Sequence, residues 1–173
     1  MRNKPLLLVT PVEKNWMKAT YGTVKINFDV SMSMKKIGYG LIARDSDGFV
    51  LGGGGIMDLD MHADWEELNA FEESLKFARA FNFPKVLFET DCISLVSRIN
   101  KKGQDITLLG HHTDEICKQL ENFSSSKVSW VNRSCNRITD YLCKQAIDRN
   151  CNLTFKLDYP MDIHDLVMKD SIN

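Results

Sequence analysis

Residues 24–57 read VKINFDVSMSMKKIGYGLIARDSDGFVLGGGGIM, and this stretch decides the fold. In residues 24–30, VKINFDV, apolar and polar side chains alternate with the period of two expected of a strand. SMSMKK has the composition of a turn. A second strand is predicted over residues 37–44, IGYGLIAR. Asp45-Ser46-Asp47-Gly48 then forms a tight-turn signature, and a third strand is predicted over residues 49–57, FVLGGGGIM. Three strands joined by short turns pair antiparallel. The glycine run weakens the third strand as a strand and points to a bulge, a bend or the close approach of another backbone. It is not a phosphate-binding loop, because no helix start and no Lys-Ser/Thr ending follow it.

After residue 63 the period changes. Leu68, Phe71, Leu75, Ala78 and Phe81 recur at helical spacing, which predicts an amphipathic helix over 64–81 broken by Asn82-Phe83-Pro84. KVLFE at 85–89 is a short buried strand. Helices follow at about 92–101 and 107–122, then a fifth strand, KVSWV, at 127–131, and a last helix at about 136–149. The order β-β-β-α-β-α-α-β-α predicts an α/β fold. Its mixed five-stranded sheet would have the first three strands antiparallel, the later two parallel, and flanking helices. Residues 1–22 read as an N-terminal leader, 23–150 as the domain and 151–173 as a weakly patterned C-terminal tail.

The bulk properties narrow the function classes. The chain has 173 residues, 43% hydrophobic and 26% charged, with a formal net charge of −1. Global basicity is therefore not what would bind nucleic acid, and local patches must do so. No apolar run approaches the roughly 20 residues of a spanning helix, so no membrane partner is expected. The apolar stretch near the start is shorter than a secretory core of about 7–15 residues. The five cysteines, at 92, 117, 135, 143 and 151, show no zinc spacing. Their odd number fits reduced thiols. An intracellular protein, nuclear or cytoplasmic, is expected, with organellar import left open, and a monomer is expected.

Four carboxylates stand where apolar elements begin or end: Asp29 in KINFDVS, Glu67 in WEELNAF, Asp91 in FETDC and Asp140 in NRITDYLCK. Each has a plain alternative. Glu67 with Asp64 matches a capping box, Asp91 matches an N-cap, and Asp140 suits the positive end of a helix dipole. Asp29 is harder to explain, because Asp is disfavoured in strands. Hard oxygen ligands from several elements are what a pair of Mg²⁺ or Mn²⁺ ions about 3.5–4 Å apart requires. Sites in such sheets tend to form beyond the carboxyl ends of parallel strands. Asn27, Ser31, Lys35, Lys36, Arg98, Lys101, Lys102, Arg133, Asn136 and Arg137 are candidates for contact with phosphates or 2′-hydroxyls. His111 and His112 are expected at the surface, and Trp65 and Trp130 in the core.

The segments KINFDVS, GYGLIARDSDG, EELNAFEESLKFA, VLFETDCISLV and VNRSCNRITDYLCKQA occur in the order of a known family. Over roughly residues 16–147 the chain resembles the plant-type ribonuclease H-like domains related to the terminal domain of non-LTR retroelement reverse transcriptases. The resemblance implies the ribonuclease H fold. It also implies Mg²⁺-dependent cleavage of the RNA strand of RNA–DNA hybrids, leaving 5′-phosphate and 3′-hydroxyl ends. Asp29, Glu67, Asp91 and Asp140 match the family's four metal ligands. Two departures motivate an alternative, a catalytically weak or inactive module that binds nucleic acid or a protein partner. Val30 stands where the family usually has Gly, which would matter if the backbone there needed a positive φ. The loop before Asp140 carries Asn132 and Arg133 and lacks the His of bacterial and retroviral relatives.

Overall fold

The alternating segment forms β1 (Val24–Ser33) at the heart of the sheet. The computed structural model describes residues 12–59 and 65–173. β1 pairs antiparallel with β2 (Lys36–Arg44), which pairs antiparallel with β3 (Val50–Asp58). On its other side β1 pairs parallel with β4 (Lys85–Thr90), and β4 pairs parallel with β5 (Ser125–Trp130). A sixth strand, β6 (Leu153–Phe155), pairs antiparallel with β3, giving the order β5-β4-β1-β2-β3-β6. The mixed sheet is as expected, but it has six strands where five were predicted. Three residues are too few for a visible period, and β6 exists because the edge of β3 is there to pair with.

Helices cover both faces. α1 (Glu66–Ala80) packs on β1 and β2 from one side. Its Phe71 ring lies 5.6 Å from both Phe28 and Phe88, in a core that also holds Ile26, Leu68 and Leu75. α2 (Ile93–Asn100) and α3 (Leu108–Lys118) follow β4. On the opposite face α4 (Arg137–Arg149) crosses β1, β2 and β3. Asp64, predicted to open a capping box on α1, lies outside the described residues, as do 1–11 of the predicted leader. Among the described residues no helix is long and apolar enough to cross a membrane.

The glycines set the depth of α4. Gly40 of β2 and Gly55 of β3 are register partners. A Cβ on Gly40 would collide with the Thr139 carbonyl oxygen and the Cys143 sulfur, and one on Gly55 with the Leu142 carbonyl oxygen. Without side chains there, the helix backbone lies directly on the sheet. The Cys143 thiol then donates to the Asp29 carbonyl oxygen at 3.3 Å.

Residues 151–173, read from the sequence as a weakly patterned tail, are folded onto the domain. They hold β6 and α5 (His164–Ser171). Ile163 and Val167 join Ile42, Val50, Ile138 and Leu142 in a second apolar cluster. Asp170 accepts from Arg44 at 2.8 Å, and that arginine is 1% exposed and stacked 3.6 Å from the centre of the Trp16 ring. Part of the predicted leader is tied down in the same way. Trp16 is 1% exposed and donates to Asn27 at 2.9 Å. Removing one partner of a buried ion pair strands the other charge, at about 3–5 kcal/mol. Asp170→Ala is therefore expected to destabilise the chain by about that amount in denaturant unfolding. A change below about 0.5 kcal/mol, the level of an ordinary surface substitution, would show that α5 is not part of the cooperative unit.

Candidate metal centre

Each of the four acids is delivered by a different element. Asp29 lies in β1, on the face that α4 covers, and is 7% exposed. Its Oδ1 accepts from the Val30 backbone N–H at 2.8 Å. Asp91 follows the end of the parallel strand β4, and Cys92, not Asp91, is the N-cap of α2, so the plain capping role falls away. Glu67 lies in the first turn of α1. Asp140 lies in the first turn of α4, whose N-terminus Asn136 fastens to β1 by donating to the Phe28 carbonyl oxygen at 2.9 Å.

The charges act on one another. Burial, then the charge of Asp91, then those of Glu67 and Asp140, push the Asp29 carboxyl up to about 8 against the Val30 hydrogen bond. Burial and the charge of Asp91 push Glu67 up to about 7. Such shifts mark carboxylates held where ionisation is opposed by both desolvation and like charge. Asp140 lies in reach of Ser31, at 3.5 Å, and its other oxygen is paired with Lys144 at 2.7 Å.

Glu67 Oε2 is buried without a hydrogen-bond partner, an orphaned acceptor beside other carboxylates. The four donors are all hard oxygens, the chemistry that Mg²⁺ and Mn²⁺ take. Among the described residues no three His, Cys, Asp or Glu side chains are gathered tightly enough to form a ready-made coordination sphere. The donor set fits a divalent ion in composition and charge.

The other predicted contacts divide. Ser31 lies 3.5 Å from Asp140, whereas Lys35 and Lys36 lie at the turn of the β1–β2 hairpin, where Met34 and Lys35 take positive φ values of 48° and 61°. Lys101, Lys102, Arg133 and Arg137 are exposed, Arg137 at 3.9 Å from Asp170. Arg98 is paired with Asp105 at 2.7 Å. Asn27 and Asn136 are 1% and 2% exposed, so the structure corrects their assignment as substrate contacts. Asn27 ties Trp16 and Arg44 to Glu89, and Asn136 ties α4 to β1. Trp130 is 38% exposed and donates to the Asp91 carbonyl oxygen. Trp65 is half-buried against His112. Val30 pairs with Tyr39 inside β1, is not among the residues with positive φ, and packs on the apolar core.

Lys144 was missed, though it stands at i+4 from Asp140, the spacing of a helical ion pair.

A family model described as reverse transcriptase-like matches residues 27–146, from β1 through α4 and across all four acids. The chain belongs to that family. No curated protein sequence matches at a significant level. Solved structures similar to this reverse transcriptase-like domain include RNase H1 from the halophilic archaeon Halobacterium salinarum. It matches with a TM-score of 0.66 at 20% identity, over 73% of this chain and 98% of that one. LC11-RNase H1 in complex with an RNA/DNA hybrid matches with a TM-score of 0.64 at 16% identity, over 73% and 98%. The foamy viral protease-reverse transcriptase in complex with an RNA/DNA hybrid matches with a TM-score of 0.56 at 18% identity, over 84% of this chain and 23% of that one. The reverse transcriptase-like domain thus has the ribonuclease H-like α/β fold. β6 and α5 lie beyond the matched residues.

A carboxyl raised in the folded state holds its proton more tightly there than in the unfolded chain. Its contribution to stability is full below the unfolded value of 3.8 for Asp29 and is lost as the pH rises to about 8. The metal-free domain should therefore melt progressively lower from pH 5 to pH 8. Asp29→Asn, which keeps the shape and removes the charge, should stabilise it at pH 8 by at least about 1 kcal/mol. Mn²⁺ should raise the melting temperature of the unmodified domain far more at pH 8 than at pH 5, and that of Asp29→Asn hardly at all. A flat pH profile with no Mn²⁺ response would contradict this reading.

Proposed function

We propose that the chain is a metal-dependent endoribonuclease that hydrolyses the RNA strand of RNA–DNA hybrids. The observation that carries this reading is the placing of Asp91, Glu67 and Asp140 near enough to Asp29 that their charges, added to the burial of Asp29, push its carboxyl up to about 8. The family membership and the fold support it, and so does the binding of an RNA/DNA hybrid by a protein of the same fold.

Asp29, Glu67, Asp91 and Asp140 would hold Mg²⁺ or Mn²⁺. A pair of such ions supplies Lewis acidity to an attacking water and to a leaving oxygen. The chain's own part is to hold the carboxylates in place, Asp29 by β1 and Asp140 by α4 seated on glycine. Lys35, Lys36, Lys101, Lys102 and Arg133 would meet phosphates, which fix the register of the duplex without reading its sequence. The alternative of an inactive binding module drew on Val30, on the loop without a histidine and on the near-neutral net charge. Val30 sits in an ordinary strand conformation, which removes the need for a positive φ there and leaves the other motives to the cleavage assay.

Incubation of a labelled hybrid with the protein in Mg²⁺ or Mn²⁺ should release short RNA products, and Asp91→Asn should reduce the rate by at least about 100-fold. Equal rates for the two proteins in both metals would refute the enzymatic reading. Lys35→Ala should weaken hybrid binding uniformly across sequences and reduce the slope of log affinity against log salt by about 1.

A further inference from the structure

We propose that Trp130 is a positioning residue for Asp91, its indole N–H holding the carboxyl end of β4 so that the acid keeps its place beside Asp29. This rests on the ion-holding role proposed above.

Strands β1 and β4 part at the site. Their parallel ladder ends at the pair Asn27 and Glu89. Asp29 and Asp91 each stand two residues beyond that pair, one on each chain, and so flank the opening. There β1 is still held by β2, through the pairing of Asp29 with Gly40. The support for Asp91 comes from β5. The β4–β5 ladder runs on to Thr90 and Trp130, and the Val131 N–H donates to the Thr90 carbonyl oxygen at 2.9 Å. The chain then turns away into a short 3-10 turn at Arg133–Cys135. The next hold on β4 is a side chain, the Trp130 indole, whose N–H donates to the Asp91 carbonyl oxygen at 3.1 Å.

Packing does not account for this tryptophan. It is 38% exposed and belongs to neither apolar cluster. Its ring is rigid and carries one donor and no acceptor, so its single bond fixes one oxygen in one place. Trp130 also begins the segment that leads to Asp140. At the far end of that segment Asn136 donates to the Phe28 carbonyl oxygen at 2.9 Å. The loop between them is thereby tied to Asp91 at one end and to β1 at the other. Groups that orient metal ligands from outside commonly contribute about 10–100-fold in metal affinity. Trp130 acts through the backbone and not on the carboxylate itself, which puts its effect at the lower end.

The test is Mn²⁺ affinity by titration calorimetry on the full chain, for the unmodified protein, Trp130→Phe and Val128→Ala, with metal-free melting temperatures measured beside it. The phenylalanine keeps a ring and removes the donor. Val128 is a core residue of the same strand, so Val128→Ala loosens β5 without touching the bond to Asp91. Trp130→Phe should bind Mn²⁺ about 10-fold more weakly. Val128→Ala should lower the melting temperature at least as much and keep the Mn²⁺ affinity of the unmodified protein. In the unmodified, metal-free protein the Trp130 indole N–H should exchange with solvent more slowly than an unprotected indole. Exchange at the unprotected rate would overturn the proposal without any variant. If the unmodified protein binds Mn²⁺ and Trp130→Phe binds it equally well, or Val128→Ala loses as much affinity as Trp130→Phe, the positioning role is wrong and the ion-holding role stands. If the unmodified protein binds no Mn²⁺, both are wrong.

Discussion

One carboxylate constrains the rest of the molecule. Asp29 sits in the central strand at 7% exposure, with three other acids acting on it. Burial opposes its ionisation, and so does each neighbour. A fold that served only stability would place an apolar residue or a paired charge there. The surrounding elements instead bring further negative charge to that point. At neutral pH the repulsion is relieved by a proton held on Asp29, and in the proposed function by a bound cation.

The sheet order and the glycines put the acids together. β1 and β4 run parallel, so their carboxyl ends open on the same edge and deliver Asp29 and Asp91 side by side. α4 reaches that edge because Gly40 and Gly55 let its backbone rest on the strands. Asn136 and Cys143 then fasten the helix to β1 on either side of Asp140. α1 brings Glu67 from the opposite face. At the far end of the network, Arg44, Asp170 and Trp16 lock the chain's two described ends under the sheet.

Much of this was legible in the residues. Strict alternation in VKINFDV, the turn at Asp45–Gly48 and the helical spacing of Leu68, Phe71 and Leu75 each report a local period, and local periods survive folding. The close approach signalled by FVLGGGG was readable too, though its partner, α4, lies some ninety residues away and no local rule names it. Long-range pairing hid the remainder. Arg44 and Asp170 are 126 positions apart, and β6 is a strand only because β3 offers it an edge. Asn27 and Asn136 looked like substrate contacts because polar residues beside an acid usually face solvent. They are buried because the network beneath the site needs their hydrogen bonds. The acids themselves were visible one by one, and their interaction was not, since it depends on which strand ends meet.

The most direct measurement is the titration of the Asp29 side-chain carboxyl by carbon-13 NMR, with and without Mg²⁺. Without the ion the carboxyl should titrate near 8. With saturating Mg²⁺ it should stay ionised down to several pH units lower. A carboxyl that titrates in the ordinary range near 4, unmoved by Mg²⁺, would contradict the account.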